Sequence, residues 1–252
     1  MPDTAAAVLL LLAAGFAGGI VNAAAGGAKL FVFPLLLASG LPPVAANATG
    51  TVAMWPATIP AIFVQRGHFG ETLRARPLPI LVTIAGASTG ALTLITIGER
   101  IFMDVVPFLL GLATLSIGLG RHVRLLVPQG IALGPNHPVA LALLLAIAFY
   151  GGFFGAGMGF MMIAVFTLTV SDSARRANAE KNVFATLINT VAVVPLALSG
   201  LVSWSAAALV LAGGLVGGYA GGRLTLILPD AIVRLVIVVL GTVLTISFLL
   251  RG

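Results

Sequence analysis

Long apolar segments alternate with short polar connections along the whole chain. A helix that crosses the hydrocarbon core of a membrane needs about 20 predominantly apolar residues. Eight segments reach or approach that length, and each predicts a full transmembrane helix. These spans are residues 4–24, 43–65, 77–97, 101–119, 137–155, 176–200, 203–222 and 230–250.

Two further apolar segments, residues 27–39 and 158–170, are too short to cross a membrane comfortably on their own. Each of them follows a glycine-rich stretch of the chain. We therefore predict two half-helices that begin at breaks in the backbone. The fold class that results is an all-α polytopic membrane protein.

The two breaks occupy matching places in the sequence. Residues 18–27, GGIVNAAAGG, are echoed by residues 151–159, GGFFGAGMG. Further along, an Ala-Asn-Ala triplet centred on Asn47 matches one centred on Asn178. The matched order of break, half-helix and polar helix predicts a duplication. Chance similarity between Gly/Ala-rich helices is the alternative.

The arginines predict how the repeats are oriented, because cytoplasmic loops carry an excess of Lys and Arg. If the half-helices are re-entrant, the arginines divide six against five, which gives no orientation. If each half-helix and its glycine segment complete a crossing, nine arginines share one side and Arg100 and Arg251 lie opposite. The nine are Arg66, Arg74, Arg76, Arg121, Arg124, Arg175, Arg176, Arg223 and Arg234.

The second arrangement gives each repeat five segments. Five is an odd number, so the second repeat, residues 126–252, enters the membrane inverted relative to the first, residues 1–125. Both termini are then predicted to lie outside. Inverted repeats with broken helices are typical of secondary transporters.

The composition agrees with a membrane protein, since 60% of the residues are hydrophobic and 8% charged, against about 25% charged in a soluble domain. The net charge of +6 is assigned to the cytoplasmic face and to anionic lipid rather than to nucleic acid. The absence of cysteine excludes disulfides, thiolate metal sites and thiol catalysis. Residues 4–24 lack a basic leader and a cleavage site, which predicts a retained span rather than a signal peptide.

The breaks mark the predicted substrate site. Irregular backbone at membrane depth is tolerated only where it is buried in protein or lines a cavity. A helix that begins near Gly27 or Gly159 directs its free amides and the positive end of its dipole towards that cavity, which favours an anion. Gly26 and Gly157 belong to the same two breaks. Close helix packing through glycine is the alternative.

Polar side chains near the breaks are the candidate anion ligands. Lys29 lies two residues past the first break, where an unpaired cation is costly, so we predict it as the main countercharge. Snorkelling to an interface is the alternative for Lys29. Asn22, inside the first break, is predicted either to donate to an oxyanion or to cap the interrupted backbone. The remaining candidates are Asn47, Thr49, Thr51, Asn178, Lys181 and Asn182.

Helical spacing groups these candidates. Asn47 and Thr51 are four residues apart and share a helix face, as do Asn178 and Asn182. Asn189 extends the second face by two turns. A solvated run of charges at a cytoplasmic mouth, in which Lys181 can pair with its neighbour, is the alternative for this region.

Motifs for other chemistries are absent. The sequence has no Walker phosphate loop, no His-Glu-x-x-His helix, no Gly-x-Ser-x-Gly elbow and no Cys/His metal cluster. It therefore predicts no catalytic residue, no cofactor, no metal site and no ATP-driven pumping by this chain alone. Glu180 is the one acidic candidate for a proton relay, so the coupling ion stays open. An intramembrane enzyme acting on lipid would need a nucleophile or an acid/base pair at membrane depth, and none stands out.

Residues 26–36, GGAKLFVFPLL, resemble the glycine run, apolar stretch and Pro-x-Leu of the TauE/SafE sulfite exporter family of bacterial inner-membrane proteins. Residues 151–162 are similar to a second copy of that motif. The resemblance covers most of the chain and implies an exporter of sulfite, of a sulfonate such as sulfoacetate, or of a related organic anion. A passive anion channel with the same site is the alternative.

Glycine pairs in a late span allow two interpretations. Gly213-Gly214, Gly217-Gly218 and Gly221-Gly222 form a small-residue face at four-residue spacing. Such a face predicts either a homodimer or close packing within the chain.

Overall fold

The computed structural model describes residues 5–25, 27–59, 66–120, 133–169, 174–227 and 229–250. Gly26, Arg121, Arg124 and Arg251 lie outside these ranges. The described residues form helices and connections without a β-strand. The helices are α1 (Ala5–Ala25), α2 (Lys29–Ala38), α3 (Pro43–Met54), α4 (Arg66–Ala75), α5 (Pro77–Thr96), α6 (Glu99–Leu119), α7 (Pro138–Phe153), α8 (Met158–Thr169), α9 (Ala174–Leu198), α10 (Trp204–Ile227) and α11 (Asp230–Leu249).

Six of these helices are long and apolar enough to cross a membrane, namely α1, α5, α6, α9, α10 and α11. They confirm six of the eight predicted full spans as long helices. The two predicted half-helices also form, with 10 residues in α2 and 12 residues in α8.

The predicted span 43–65 is not one continuous helix within the described residues. Helix α3 ends at Met54, and a 3₁₀ turn follows over Trp55–Thr58. Pro56 lies in that turn, and its lack of a backbone N–H removes a donor that a continuing α-helix requires.

The predicted span 137–155 forms a helix of only 16 residues, α7. His137 accepts a hydrogen bond from the backbone N–H of Val139 and caps its start. Beyond its end, Gly155 and Gly157 have φ angles of +80° and +69°. Left-handed backbone of this kind suits glycine and cannot continue a right-handed helix.

Two helix pairs, α1 with α10 and α5 with α7, make the most extensive contacts among the described helices. Both pairs pack backbone against backbone. A Cβ placed on Gly19 of α1 would lie 2.4 Å from the carbonyl oxygen of Gly214 in α10. A Cβ on Gly152 of α7 would lie 2.2 Å from the carbonyl oxygen of Ala87 in α5. Small residues permit this close approach, as is usual at membrane helix interfaces.

The glycine face of α10 is divided between two surroundings. A Cβ on Gly217 would lie 2.0 Å from the carbonyl oxygen of Phe16, and Gly213 and Gly221 meet α1 in the same way. A Cβ on Gly218 would meet nothing within 4 Å. Contacts within the chain, which also include Gly214 against Gly15 and Met54, therefore account for more than half of this face, and a homodimer stays a prediction.

Aromatic side chains fix the half-helix α2 against the second break. The ring of Phe33 in α2 lies 5.6 Å from the ring of Phe154 and 5.9 Å from that of Phe102 in α6, both in edge-to-face geometry. All three rings are fully buried. Edge-to-face contacts add to the apolar burial, so they hold the backbone after α7 in a fixed position.

Candidate functional site

Both breaks are shorter than the repeated glycine motifs. Helix α1 continues through Gly18 and Gly19 to Ala25, and α7 continues through Gly151 and Gly152. A Cβ on Gly18 would lie 2.3 Å from Val32 Cγ2. Close packing, the alternative interpretation, therefore describes these early glycines. The irregular backbone lies after them, at 27–28 and at 154–157.

The second break is buried and hydrogen bonded. The hydroxyl of Tyr150 donates to the carbonyl oxygen of Ala156 at 2.6 Å, and the backbone N–H of Gly155 donates to the carbonyl oxygen of Tyr150 at 2.9 Å. A Cβ on Gly157 would lie 3.0 Å from the carbonyl oxygen of Ala113 in α6. Protein atoms thus surround this break, as irregular backbone at membrane depth requires.

Two side chains of the first half bind the carbonyl end of α7. The ammonium of Lys29 donates to the carbonyl oxygen of Phe154. The amide of Asn47 donates to the carbonyl oxygen of Phe153 at 2.7 Å. The last carbonyls of a helix lack partners within it, and a cation at this end also meets the negative end of the dipole. Lys29 and Asn47 therefore close the end of α7.

Two threonines near Asn47 are also engaged. The hydroxyl of Thr51 donates to the carbonyl oxygen of Asn47 at 2.8 Å. The hydroxyl oxygen of Thr49 accepts a hydrogen bond from the backbone N–H of Ser203 at 3.0 Å. We call Lys29, Asn47, Thr49 and Thr51 the buried cluster, since each of them is at most 8% exposed.

A separate cavity of about 490 Å³ opens between the carboxyl end of α1, the 3₁₀ turn, the start of α8 and the middle of α9. We call it the polar cavity. Met158 and Gly159 place the first turn of α8 on its wall. The polar side chains that line it are Asn22, Thr58, Asn178, Lys181, Asn182, Thr186 and Asn189. No carboxylate belongs to its lining within the described part of the chain.

The polar cavity brings together five of the residues predicted from the sequence: Asn22, Gly159, Asn178, Lys181 and Asn182. It does not include the buried cluster, Gly27 or Gly157.

Only one of the two half-helices therefore begins at the polar cavity, although the sequence predicted that both would begin at one cavity. The amino-terminal end of α8 lines the polar cavity, whereas α2 begins at Lys29 against the end of α7. Anion binding by any of these residues stays a prediction.

Sequence reasoning missed two hydroxyl groups of the lining. Thr186 lies four residues after Asn182, so extending the polar helix face by one turn would have found it. Thr58 lies in the 3₁₀ turn after α3, where a continuous helix was expected, and no spacing rule points to it.

The charges of α9 are separated by the fold. Glu180 pairs with Arg76, whose Nη2 lies 2.9 Å from Oε1, and not with Lys181. Lys181 lines the polar cavity, and no carboxylate of the described residues comes within 4 Å of its ammonium. Lys181 is therefore the cation that the polar cavity offers to an anion.

A family model described as "Sulfite exporter TauE/SafE" matches residues 11–248. The chain belongs to the TauE/SafE sulfite exporter family. The match spans all or most of each long helix and both half-helices.

Three relatives agree with this assignment to the TauE/SafE family. The chain is 26% identical to "Probable membrane transporter protein" of Haemophilus influenzae, over 94% of this chain and 92% of that protein. It is 26% identical to "Probable membrane transporter protein YfcA" of Escherichia coli, over 92% and 85%. It is 27% identical to "Probable membrane transporter protein ORF9" of a Sinorhizobium species, over 95% and 91%.

No solved structure matches the chain significantly. Membership of the family, together with the six long apolar helices, identifies a multi-pass membrane transporter rather than an enzyme.

Proposed function

We propose that this TauE/SafE member is a secondary transporter that exports a small oxyanion across the bacterial inner membrane. Sulfite and organosulfonates such as sulfoacetate are the proposed substrates. The observation that carries the proposal is the lining of the polar cavity, which combines one cation, four asparagines and a helix amino-terminus without a carboxylate among the described residues. All of these groups supply hydrogen-bond donors, which an oxyanion requires.

Lys181 is the proposed countercharge. Its ammonium has no carboxylate partner among the described residues, so a bound anion would supply the negative charge that balances it. The amides of Asn22, Asn178 and Asn182 donate to the remaining oxygens, and the first turn of α8 at Gly159 adds its dipole. Lys29 is assigned instead to the end of α7, because its ammonium already donates to Phe154.

We also propose that residues 1–125 and 126–252 are inverted repeats, with both termini outside. Support comes from corresponding helix contacts: between the halves, α1 packs on α10 as α7 packs on α5, and within each half, α2 packs on α3 as α8 packs on α9. Transporters built this way bind substrate between their repeats. The polar cavity fits that pattern, since Asn22 comes from the first half and Lys181 from the second.

The test is efflux of labelled sulfoacetate and sulfite from proteoliposomes that contain the purified protein. Lys181→Ala is expected to weaken anion affinity about 10- to 100-fold, because a hydrogen bond to a charged group contributes about 1.5–3 kcal/mol. Arg223→Ala is the matched control, since Arg223 stacks on Tyr219 and does not line the polar cavity.

Unchanged efflux by folded Lys181→Ala protein would remove this site from the mechanism. Efflux that fails to saturate as the internal anion concentration rises would indicate a passive channel instead.

A further inference from the structure

Glu180 is a buried carboxylate that the proposed anion site does not use. It lies in α9, and only 5% of its side-chain surface is exposed. Oε1 accepts from the guanidinium of Arg76 at 2.9 Å. Oε2 is buried and has no hydrogen-bond partner within the described residues. An ionisable group at membrane depth is costly, and such groups mark ion pathways in transporters.

The second oxygen has the geometry to carry a proton. If Oε2 binds a proton, Oε1 still accepts the hydrogen bond from Arg76, so the ion-pair partner need not move. If the proton leaves, the carboxylate keeps Arg76 as its countercharge. The two states therefore use the same arrangement of side chains.

A route to water exists beside this carboxylate. A small cavity of about 30 Å³ is lined by Glu71, Arg76, Arg176 and Glu180, and a space of that size accommodates a water molecule. The side chains of Glu71 and Arg176 are 64% and 46% exposed. A proton can therefore pass between bulk water and Glu180 without crossing the packed core.

One turn of α9 carries both the carboxylate of Glu180 and the ammonium of Lys181, the proposed countercharge of the anion. Glu180 lines the small cavity, while the next residue, Lys181, lines the polar cavity. An anion beside Lys181 and an ionised Glu180 repel each other. The polar cavity therefore binds an anion more tightly when Glu180 carries a proton, and the linkage is reciprocal.

We propose that Glu180 binds a proton that crosses the membrane together with the anion, one proton with each anion. The inference rests on the proposed function. In the transport step the proton adds to Oε2 on one side, the neutral acid and the anion move together, and Oε2 returns the proton to water on the other side.

Four other charged groups of the described residues lie near Glu180. Among the described residues, Arg76 precedes α5, Glu71 comes from α4, and Arg176 and Lys181 come from α9 itself. Arg176 and Glu71 are 3.9 Å apart. Helices α3, α7 and α8, which also pack on α9, present no charged side chain to it within the described ranges. A pH dependence of transport therefore has to be apportioned between Glu180, Glu71 and Lys181.

The experiment uses proteoliposomes loaded with sulfoacetate and a luminal pH indicator, with the membrane potential clamped. Sulfoacetate stays fully ionised between pH 6 and 8, so its own charge does not change. In the wild-type protein we expect the lumen to become alkaline as sulfoacetate leaves, with one proton lost per anion. Glu180→Gln keeps an oxygen acceptor for Arg76 but cannot titrate. We expect it to retain sulfoacetate exchange, to lose the proton movement and to lose the part of the pH dependence of efflux that comes from Glu180.

Asp104→Asn is the matched control, because it removes an exposed carboxylate that lines neither cavity and should leave the proton movement intact. Wild-type efflux without a change in luminal pH would overturn the inference even if Glu180→Gln failed to fold. Proton movement that persists in Glu180→Gln would overturn it as well. A wild-type protein that moves neither sulfoacetate nor sulfite would instead overturn the proposed function, and with it this inference.

Discussion

Asn47 and Asn178 occupy matching positions in the two halves of the sequence, yet their surroundings differ. Asn47 is 1% exposed and binds the carbonyl oxygen of Phe153, whereas Asn178 is exposed on the wall of the polar cavity. Two residues further along, Thr49 accepts from the backbone of Ser203 while Glu180 pairs with Arg76. At the matching positions, the side chains of the first half hydrogen bond to backbone groups, whereas those of the second half line the cavities.

The two closely packed helix pairs, by contrast, are alike, and each joins a helix of the first half to one of the second. Gly19 brings α1 against α10, and Gly152 brings α7 against α5, with backbone contacts in both cases. Close packing depends only on small side chains at the right spacing, and glycine supplies them at both contacts. Polar contacts depend on which groups lie opposite, and these differ between Asn47 and Asn178. The glycines at the two helix pairs therefore make similar contacts, whereas the matching asparagines do not.

The largest expected effect tests whether the two helix pairs are equivalent. Gly152→Leu and Gly19→Leu each force a side chain into the backbone of a neighbouring helix, which cannot move aside. Overpacking costs about 1–3 kcal/mol even where side chains can adjust, so we expect both variants to lose most of the folded protein. Size-exclusion profiles of detergent extracts measure the loss.

Gly218→Leu is the control for the glycine variants, since a Cβ there meets nothing within 4 Å and the profile should stay monodisperse. A normal profile for only one of the two buried variants would show that the helix pairs are not equivalent.

An intermediate effect separates the two lysines. Lys29→Met removes the donor that closes the end of α7, and we expect the free energy of unfolding to fall by about 2 kcal/mol. Affinity for sulfoacetate per folded molecule should stay unchanged. Lys181→Met should do the opposite, because that ammonium faces the polar cavity. Thermal unfolding in detergent and binding titrations provide the two readouts. A stable Lys29→Met protein that no longer binds sulfoacetate would return Lys29 to the substrate site.

The smallest effect concerns the matched asparagines. Asn47→Ala loses one hydrogen bond to Phe153, and we expect a stability loss of about 1 kcal/mol with normal affinity. Asn178→Ala should leave stability unchanged and weaken anion affinity about tenfold, the low end for one hydrogen bond to a charged group. The same two assays apply. Equal losses of stability in both variants would contradict the division of roles between the halves.

The sequence predicted more of the fold than of the site. Apolar length located six long helices and both half-helices, because the hydrocarbon thickness leaves few alternatives. It did not predict the end of α3 at Met54, since one proline in an apolar run, Pro56, ended the helix. Two predicted ligands, Lys181 and Asn178, line the polar cavity, whereas Lys29, predicted as a ligand because it is a cation in an apolar segment, donates to the carbonyl oxygen of Phe154. Nothing in the sequence indicates that the carbonyl end of a distant helix accepts a hydrogen bond from this cation.

The amino-acid sequence alone is enough to predict a polytopic helical membrane protein with two glycine breaks and a set of polar residues beside them. The length of apolar segments and the spacing of glycines are local properties, so they can be recognised without knowledge of the fold. Which polar residues meet depends on the tertiary structure. It put Lys29 and Asn47 on the carbonyl end of α7 and gathered Asn22, Lys181 and Asn182 around one cavity. These contacts join residues more than 100 positions apart, and their partners depend on how the halves pack.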